Sequence, residues 1–226
     1  MAHSVRRHLR LEIDQYDESI RCFIPGYDVM LSVAAGHVAA VSPDVVLDLG
    51  AGTGALSQAI LERAGVGQVM LMDVDAEMLD QARDRLRAYG ERALFALRSF
   101  DDPLPECDAI AASLSLHHLP TIEAKAALFG RAFEALRPGG VFVNADATMP
   151  ADEVEREELY RFWVDHMVRG GITPERAREH LAEWAEEDTY LPLEAELAAL
   201  GAVGFDARSV WRAGPIGVVV GRRPPG

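Results

Sequence analysis

Three glycines at alternate positions, Gly50, Gly52 and Gly54, close the segment Val46-Leu47-Asp48-Leu49-Gly50-Ala51-Gly52-Thr53-Gly54. Glycine lets backbone come close to a ligand, and a helix that opens just after such a turn offers it unpaired N–H groups. The G-x-G-x-G spacing differs from the G-x-G-x-x-G dinucleotide fingerprint, which argues against NAD. Asp48, two residues before the first glycine, is placed either to orient the loop or to meet a cationic ligand. Asp73 follows Gly54 by nineteen residues in Leu71-Met72-Asp73-Val74-Asp75. A carboxylate at such a strand tip can accept from both hydroxyls of a ribose. Asp75 directly precedes Ala76-Glu77-Met78, so helix capping is its expected role. His117 and His118 follow one another, and His166 stands apart from them. Histidine titrates near working pH, so all three are candidate bases; for the pair, a helix-end histidine bonded to backbone is the competing role.

Short apolar runs alternate with amphipathic helices from Asp44 onward, and these elements must position the loop and the carboxylates. The runs are Val45 to Leu49, Val69 to Met72, Leu94 to Leu97, Ala109 to Ala112 and Val141 to Val143, each of a length that suits a strand buried on both faces. Between them the spacing predicts helices over Ala76 to Tyr89, capped by Asp75 and stopped by Gly90, and over Ile122 to Leu136, capped by Thr121 and stopped by Pro138-Gly139-Gly140. Repeated strand-helix-strand units imply a doubly wound α/β fold with a parallel sheet. Residues 4 to 40 read as helical, His37 falling on the apolar stripe of the second part. Residues 151 to 200 are helix-rich, with Thr173-Pro174-Glu175 as a helix start and a Leu193, Leu197, Leu200 stripe after Pro192. Ala207 to Arg212 and Ile216 to Val220, joined by Ala213-Gly214-Pro215, read as a hairpin on the sheet edge. One domain is expected: a helical cap over 1–43, a core over 44–150, a helical lid over 151–200 and a hairpin over 201–226.

Thirty-six acidic against twenty-two basic residues give a formal net charge of −14 in 226 residues. That sign opposes long-range attraction to nucleic acid or to an anionic membrane, and favours a small-molecule partner. Arg161, Arg169, Arg176 and Arg178 lie near one another but are interleaved with acids, as on a solvated helix face. No apolar run approaches the eighteen or so residues of a membrane span, and Met1 to Arg10 lacks the apolar stretch of a signal peptide. A cytoplasmic protein is expected. Cys22 and Cys107 show neither C-x-x-C nor Cys/His spacing, so buried free thiols are expected and no zinc site.

Taken together in order, Val46 to Gly54, Asp73 with Ala76-Glu77-Met78-Leu79, Asp108 to Leu119, and Leu136-Arg137-Pro138-Gly139-Gly140-Val141-Phe142 closely resemble the class I S-adenosylmethionine-dependent methyltransferases. The resemblance spans roughly residues 44 to 146. It implies a seven-stranded Rossmann-like sheet whose last strand is antiparallel, and S-adenosyl-L-methionine as cofactor. It implies that Asp48, Gly50, Gly52 and Gly54 form the loop around the methionine moiety, and that Asp73, with Val74, meets the ribose. Ser99 and Phe100 fall at the adenine positions; Ser99 departs from the acidic residue common there, and Asp101 is the substitute. Ser113 and Leu114 fall beside the sulfonium. The string Tyr16-Asp17-Glu18-Ser19-Ile20-Arg21 resembles a subgroup in which this segment folds over the cofactor, with Tyr16 and Arg21 toward the methionine carboxylate. That subgroup includes carboxy-S-adenosylmethionine synthase, for which Arg169, Arg176 and Arg178 are the lid arginines available to hold the extra carboxylate.

Methyl transfer from a sulfonium needs alignment in a dry site more than it needs charge chemistry. Metal independence is expected, since no carboxylate cluster resembles the magnesium site of catechol-methylating enzymes. Tyr160, Phe162, Trp163, His166 and Trp184 are the candidates to line an acceptor pocket suited to a flat or apolar small molecule, one or two of them touching it while the others pack the lid. Three functions follow: methylation of an oxygen or nitrogen of a small molecule, carboxy-S-adenosylmethionine synthesis for tRNA modification, or a non-catalytic cofactor-binding partner. The helical additions offer surface for a homodimer.

Overall fold

The computed structural model describes residues 19–226. Chain order runs α1 (Tyr27–Ala39), β1 (Val45–Leu49), α2 (Ala55–Leu61), β2 (Gln68–Asp73), α3 (Ala76–Leu86), β3 (Ala93–Leu97), β4 (Cys107–Ser113), α4 (Ile122–Ala135), β5 (Leu136–Ala147), α5 (Glu153–Arg169), α6 (Pro174–Trp184), α7 (Leu193–Ala202), β6 (Asp206–Ala213) and β7 (Ile216–Arg222). The strands form one seven-stranded sheet in the order β3-β2-β1-β4-β5-β7-β6. β1 to β5 are parallel, and β7 runs antiparallel between β5 and β6. This is the doubly wound sheet with an antiparallel end that the pattern implied.

Alternate residues of each strand face opposite layers. Val46, Leu71, Ala109 and Val143 join a core with α1, α2 and α3, while Leu47, Met72, Ile110 and Phe142 join another with α4 and α7. The punctuation works as the residue types dictate. Asp75 accepts from the Glu77 and Met78 N–H groups, Thr121 from Ala124, Asp152 from Val154 and Glu155, and Thr173 from Arg176. Gly90, at φ 56°, breaks the chain as expected, although α3 ends at Leu86 and a 3₁₀ stretch fills Arg87–Arg92.

Two expectations need correction. The fifth strand spans twelve residues, not the three of Val141 to Val143: its far half carries Asn144 and Asp146, poor strand formers that are buried because β7 pairs along them. Of the lid region, only α5 and α6 stand apart from the sheet; α7 packs on α4 and β6 as an ordinary layer helix. Trp163 on α5 fastens that pair to the segment before α1, its indole N–H donating to the Phe23 carbonyl at 2.6 Å. No helix among the described residues is long and apolar enough to cross a membrane.

One charged pair is fully buried between α4, α7 and β5. Lys125 Nζ donates to Glu196 Oε1, and Asn144 Nδ2 lies 3.5 Å from Glu196 Oε2. Removing one partner strands the other charge away from water. Lys125→Met should therefore cost about 3–5 kcal/mol of stability, and adding Glu196→Leu should recover most of it. Urea unfolding of the single and double variants checks this; an equal loss in both would mean that packing, not charge, is at stake.

Candidate active site

Strand order reverses between β1 and β4, so the loops leaving these two strands diverge and open a cleft at their carboxyl ends. One wall is the glycine loop. Gly50, Gly52 and Gly54 all have positive φ, at 64°, 53° and 80°. A Cβ on Gly50 would stand 2.5 Å from the Ser115 Cβ, and one on Gly52 would point into open space, where it would fill the groove. The other wall begins at Leu114, a non-glycine residue at φ 50°. Its conformation is held by its N–H donating to the Ala145 carbonyl at 2.9 Å. The turn brings the Ser115 hydroxyl onto the Leu49 carbonyl at 2.8 Å, tying the ends of β1 and β4 beneath the cleft.

The cleft has two parts. A groove of about 360 Å³ is lined by Asp73, Val74, Ser99, Phe100, Asp101, Leu114, His118 and Glu187 among others, a size that suits a small ligand. A narrower space beside it is lined by Tyr27, Asp48, the glycine loop and Ser113, with Gly50 and Leu114 common to both. Asp73 Oδ2 accepts from the Gly52 N–H at 2.8 Å and Oδ1 from the Asp75 N–H at 2.9 Å. Each oxygen keeps a lone pair for a hydroxyl of a bound ribose. Burial raises the Asp73 pKa, although those N–H groups oppose the rise. The Ser99 hydroxyl accepts from the Asp101 N–H at 3.0 Å, and Asp101 pairs with Arg131 at 3.2 Å.

Asp48 is wholly buried. Its Oδ2 accepts from the Ser57 hydroxyl at 2.6 Å, while Oδ1 has no hydrogen-bond partner among the described residues. Burial, aided by the nearby Asp73 charge and opposed by the Ser57 bond, pushes its pKa up to about 7. Such a carboxyl is poised to receive a cation.

The histidines separate. His118 lines the groove, whereas His117 lies behind it, buried, with Nδ1 2.6 Å from Asp146 Oδ1 and its backbone N–H on Asp146 Oδ2 at 3.0 Å. Burial disfavours the imidazolium, but Asp146 and Asp188 outweigh it and raise the His117 pKa; in turn Asp146, though buried, is held below the usual carboxylate range chiefly by His117. His166 is outside this constellation: its Nε2 lies 3.1 Å from the Arg21 carbonyl oxygen. Arg21 lines an adjoining cavity that shares Tyr27 and Ala55 with the glycine-loop space, its guanidinium on Asp28 at 2.9 Å. Tyr16 lies outside the described residues. The expected aromatic lining gives way to packing. Trp163 and Trp184 are buried in the core and Phe162 sits against the Gly214 turn; neither they nor Tyr160 line the groove. Asp146, Asp188 and Tyr190 escaped the sequence reading because nothing in their local pattern marks them.

A family profile described as a methyltransferase domain matches residues 47–142. Over 197 residues the chain is 30% identical to an uncharacterized methyltransferase of Geobacillus kaustophilus, covering 86% of this chain and 82% of that protein. The chain belongs to the class I S-adenosylmethionine-dependent methyltransferases. It is also similar to a carboxy-S-adenosyl-L-methionine synthase of Aeromonas salmonicida, 26% identical over 88% of this chain and 83% of that one. A solved O-methyltransferase family protein from Burkholderia thailandensis shares the fold at a TM-score of 0.65 and 20% identity, over 88% of this chain and 58% of that structure.

The methyltransferase's donor set fits S-adenosylmethionine on its own terms. The unpartnered Asp48 oxygen would suit the methionine ammonium, the open space over Gly52 would admit the chain of the cofactor, and Asp73 would have an acceptor on each oxygen for the ribose. None of the lid arginines Arg169, Arg176 and Arg178 lines the groove; Arg176 is paired with Glu179 and Glu183 at 3.1 and 3.2 Å.

Two consequences are testable. In the ligand-free protein the folded Asp48 pKa, about 7, lies above the unfolded value near 3.9. The unfolded chain therefore releases this proton first, and stability falls as pH rises between those values. Asp48→Asn removes the loss, so it should raise ligand-free stability at pH 8 by about 1–3 kcal/mol, with the gain shrinking toward pH 5, while weakening S-adenosylmethionine binding. Thermal unfolding at both pH values and calorimetric titration check it. Asp73→Ala should weaken cofactor binding by on the order of 1–3 kcal/mol, and an unchanged dissociation constant would remove Asp73 from the ribose.

Proposed function

We propose that this methyltransferase moves a methyl group from S-adenosylmethionine to an oxygen or nitrogen of a small-molecule acceptor. The observation that supports it is that one groove holds two polar features: Asp73 with the Gly52 N–H, and His118, backed by the Asp188 carboxylate at 3.0 Å. When bound, the cofactor supplies an electrophilic methyl on a sulfonium sulfur. Gly50, Leu114 and Ser115 shape the space around that position, and Leu119 and Pro120 give the acceptor an apolar flank. His118 stands where an acceptor O–H or N–H must be oriented and relieved of its proton. The acidic total favours a neutral or cationic small molecule over a nucleic acid, and the cytoplasm is the expected compartment.

Carboxy-S-adenosylmethionine synthesis has less support, because it needs a cation for a second carboxylate and Arg98 is the one arginine among the described groove-lining residues; its guanidinium donates to the Pro103 carbonyl at 2.9 Å. A screen of hydroxylated and amino acceptors with labelled cofactor tests the proposal. His118→Ala should lower kcat on the best acceptor by about 10²-fold or more while leaving cofactor affinity within about twofold. Transfer only to carbon, or a carboxylated nucleoside in the purified protein, would overturn it.

A further inference from the structure

We propose that His117, His118 and Asp188 form a binding site for one divalent first-row transition-metal ion at the acceptor end of the groove. His117 Nε2 is 3.6 Å and His118 Nδ1 3.0 Å from the same oxygen, Asp188 Oδ1, and the three ligand atoms all lie within 4.8 Å of one another. Ligands each about 2.0–2.1 Å from a tetrahedral ion stand about 3.3–3.4 Å apart. The two separations from Asp188 Oδ1 bracket that spacing.

The surroundings are those of a metal centre and not of a chance cluster. A ligating imidazole characteristically donates its other ring N–H to a carboxylate, which fixes the tautomer and bares the ligating nitrogen. Asp146 does this for His117: it takes Nδ1 at 2.6 Å and the backbone N–H at 3.0 Å, which turns Nε2 toward Asp188. Tyr190 steadies the third ligand, its hydroxyl donating to Asp188 Oδ2 at 2.8 Å. Of the three ligand side chains, His117 and Asp188 are more than nine-tenths buried, at 9% and 2% exposure, His118 is 13% exposed, and the buried charges of this corner, Asp146, Asp188 and Glu196 against Lys125, favour a cation. His118 opens on the groove and gives the ion a route in. Two imidazoles and one carboxylate suit zinc, cobalt, nickel or iron better than magnesium.

The site departs from the metal independence expected from the sequence, because its third ligand lies some seventy residues beyond the histidine pair and is brought back by the segment between α6 and α7. The Thr189 N–H donating to the His117 carbonyl at 2.9 Å holds that segment in place. The proposal deepens the functional reading above, on which it rests only for the statement that the ion stands beside the acceptor; with Nδ1 on the ion, His118 carries its proton on Nε2 and orients the acceptor instead of deprotonating it, and ion binding itself is measured without turnover.

The test uses the untagged full chain, stripped with a chelator and titrated with Co²⁺ while visible ligand-field absorption is followed, then displaced with Zn²⁺. Expected is one saturable Co²⁺ per chain, with His118→Gln and Asp188→Asn each weakening it at least tenfold while S-adenosylmethionine still binds, which shows that the variants fold. The proposal is overturned if the wild type shows no saturable band. It is equally overturned if both variants bind Co²⁺ as the wild type does and only His3→Ala or His8→Ala, outside the described residues, removes it. A chain that binds Co²⁺ through these residues yet transfers methyl only to carbon keeps the metal site and loses the acceptor class; the reverse result removes the metal alone.

Discussion

Right-handed crossovers carry the chain from β1 toward β3 on one side and from β4 toward β5 on the other, so the backbone must part at the carboxyl ends of β1 and β4. Everything chemical in this protein depends on that gap. The glycine loop leaves from one lip and Leu114 to His118 from the other, and Ser115 bonded to Leu49 keeps the two lips at a fixed separation. Backbone too bulky at Gly50 would collide with Ser115, which is why the loop must be glycine where it faces the second lip.

Around the gap the fold buries ionisable groups that water would otherwise stabilise, and each finds a different resolution. Asp73 is satisfied by backbone N–H groups, Glu196 by Lys125, and Asp146 by His117. Asp48 is resolved least, with one oxygen bare and its pKa near 7 in the ligand-free chain. On the proposed reading that unfavourable burial is the counterpart of ligand binding, because a desolvated carboxylate gains most when a cationic group arrives. That reading sets stability and cofactor affinity against each other at one residue.

The cofactor half was legible in the sequence because its signals are local. A strand, a glycine turn and a helix start occupy consecutive residues, so the loop from Asp48 to Gly54, the strand tip at Asp73 and the Asp75 cap could each be placed from spacing and side-chain chemistry. Ser113, Val74 and Phe100 also line the cleft. The acceptor half was not legible. Trp163 and Trp184 look like a ligand-binding stripe in sequence, yet an aromatic stripe and a core stripe have the same period, and in the folded chain they pack the lid helices. His166 likewise has plausible chemistry, but its Nε2 lies at the Arg21 carbonyl and not in the groove.

By itself, then, the sequence determined the α/β class, the strand count at the sheet's parallel end, the glycine loop and the carboxylate at the tip of β2, since all of these follow from interactions between neighbours in the chain. Only the tertiary structure decided that Asp146 on β5 and Asp188 beyond α6 converge on His117 and His118, and that Lys125 meets Glu196. These pairs are separated by tens of residues, and no local periodicity encodes them. Their meeting is set by the register of β5 against β4 and β7, and by the return of the chain from the lid to the sheet edge.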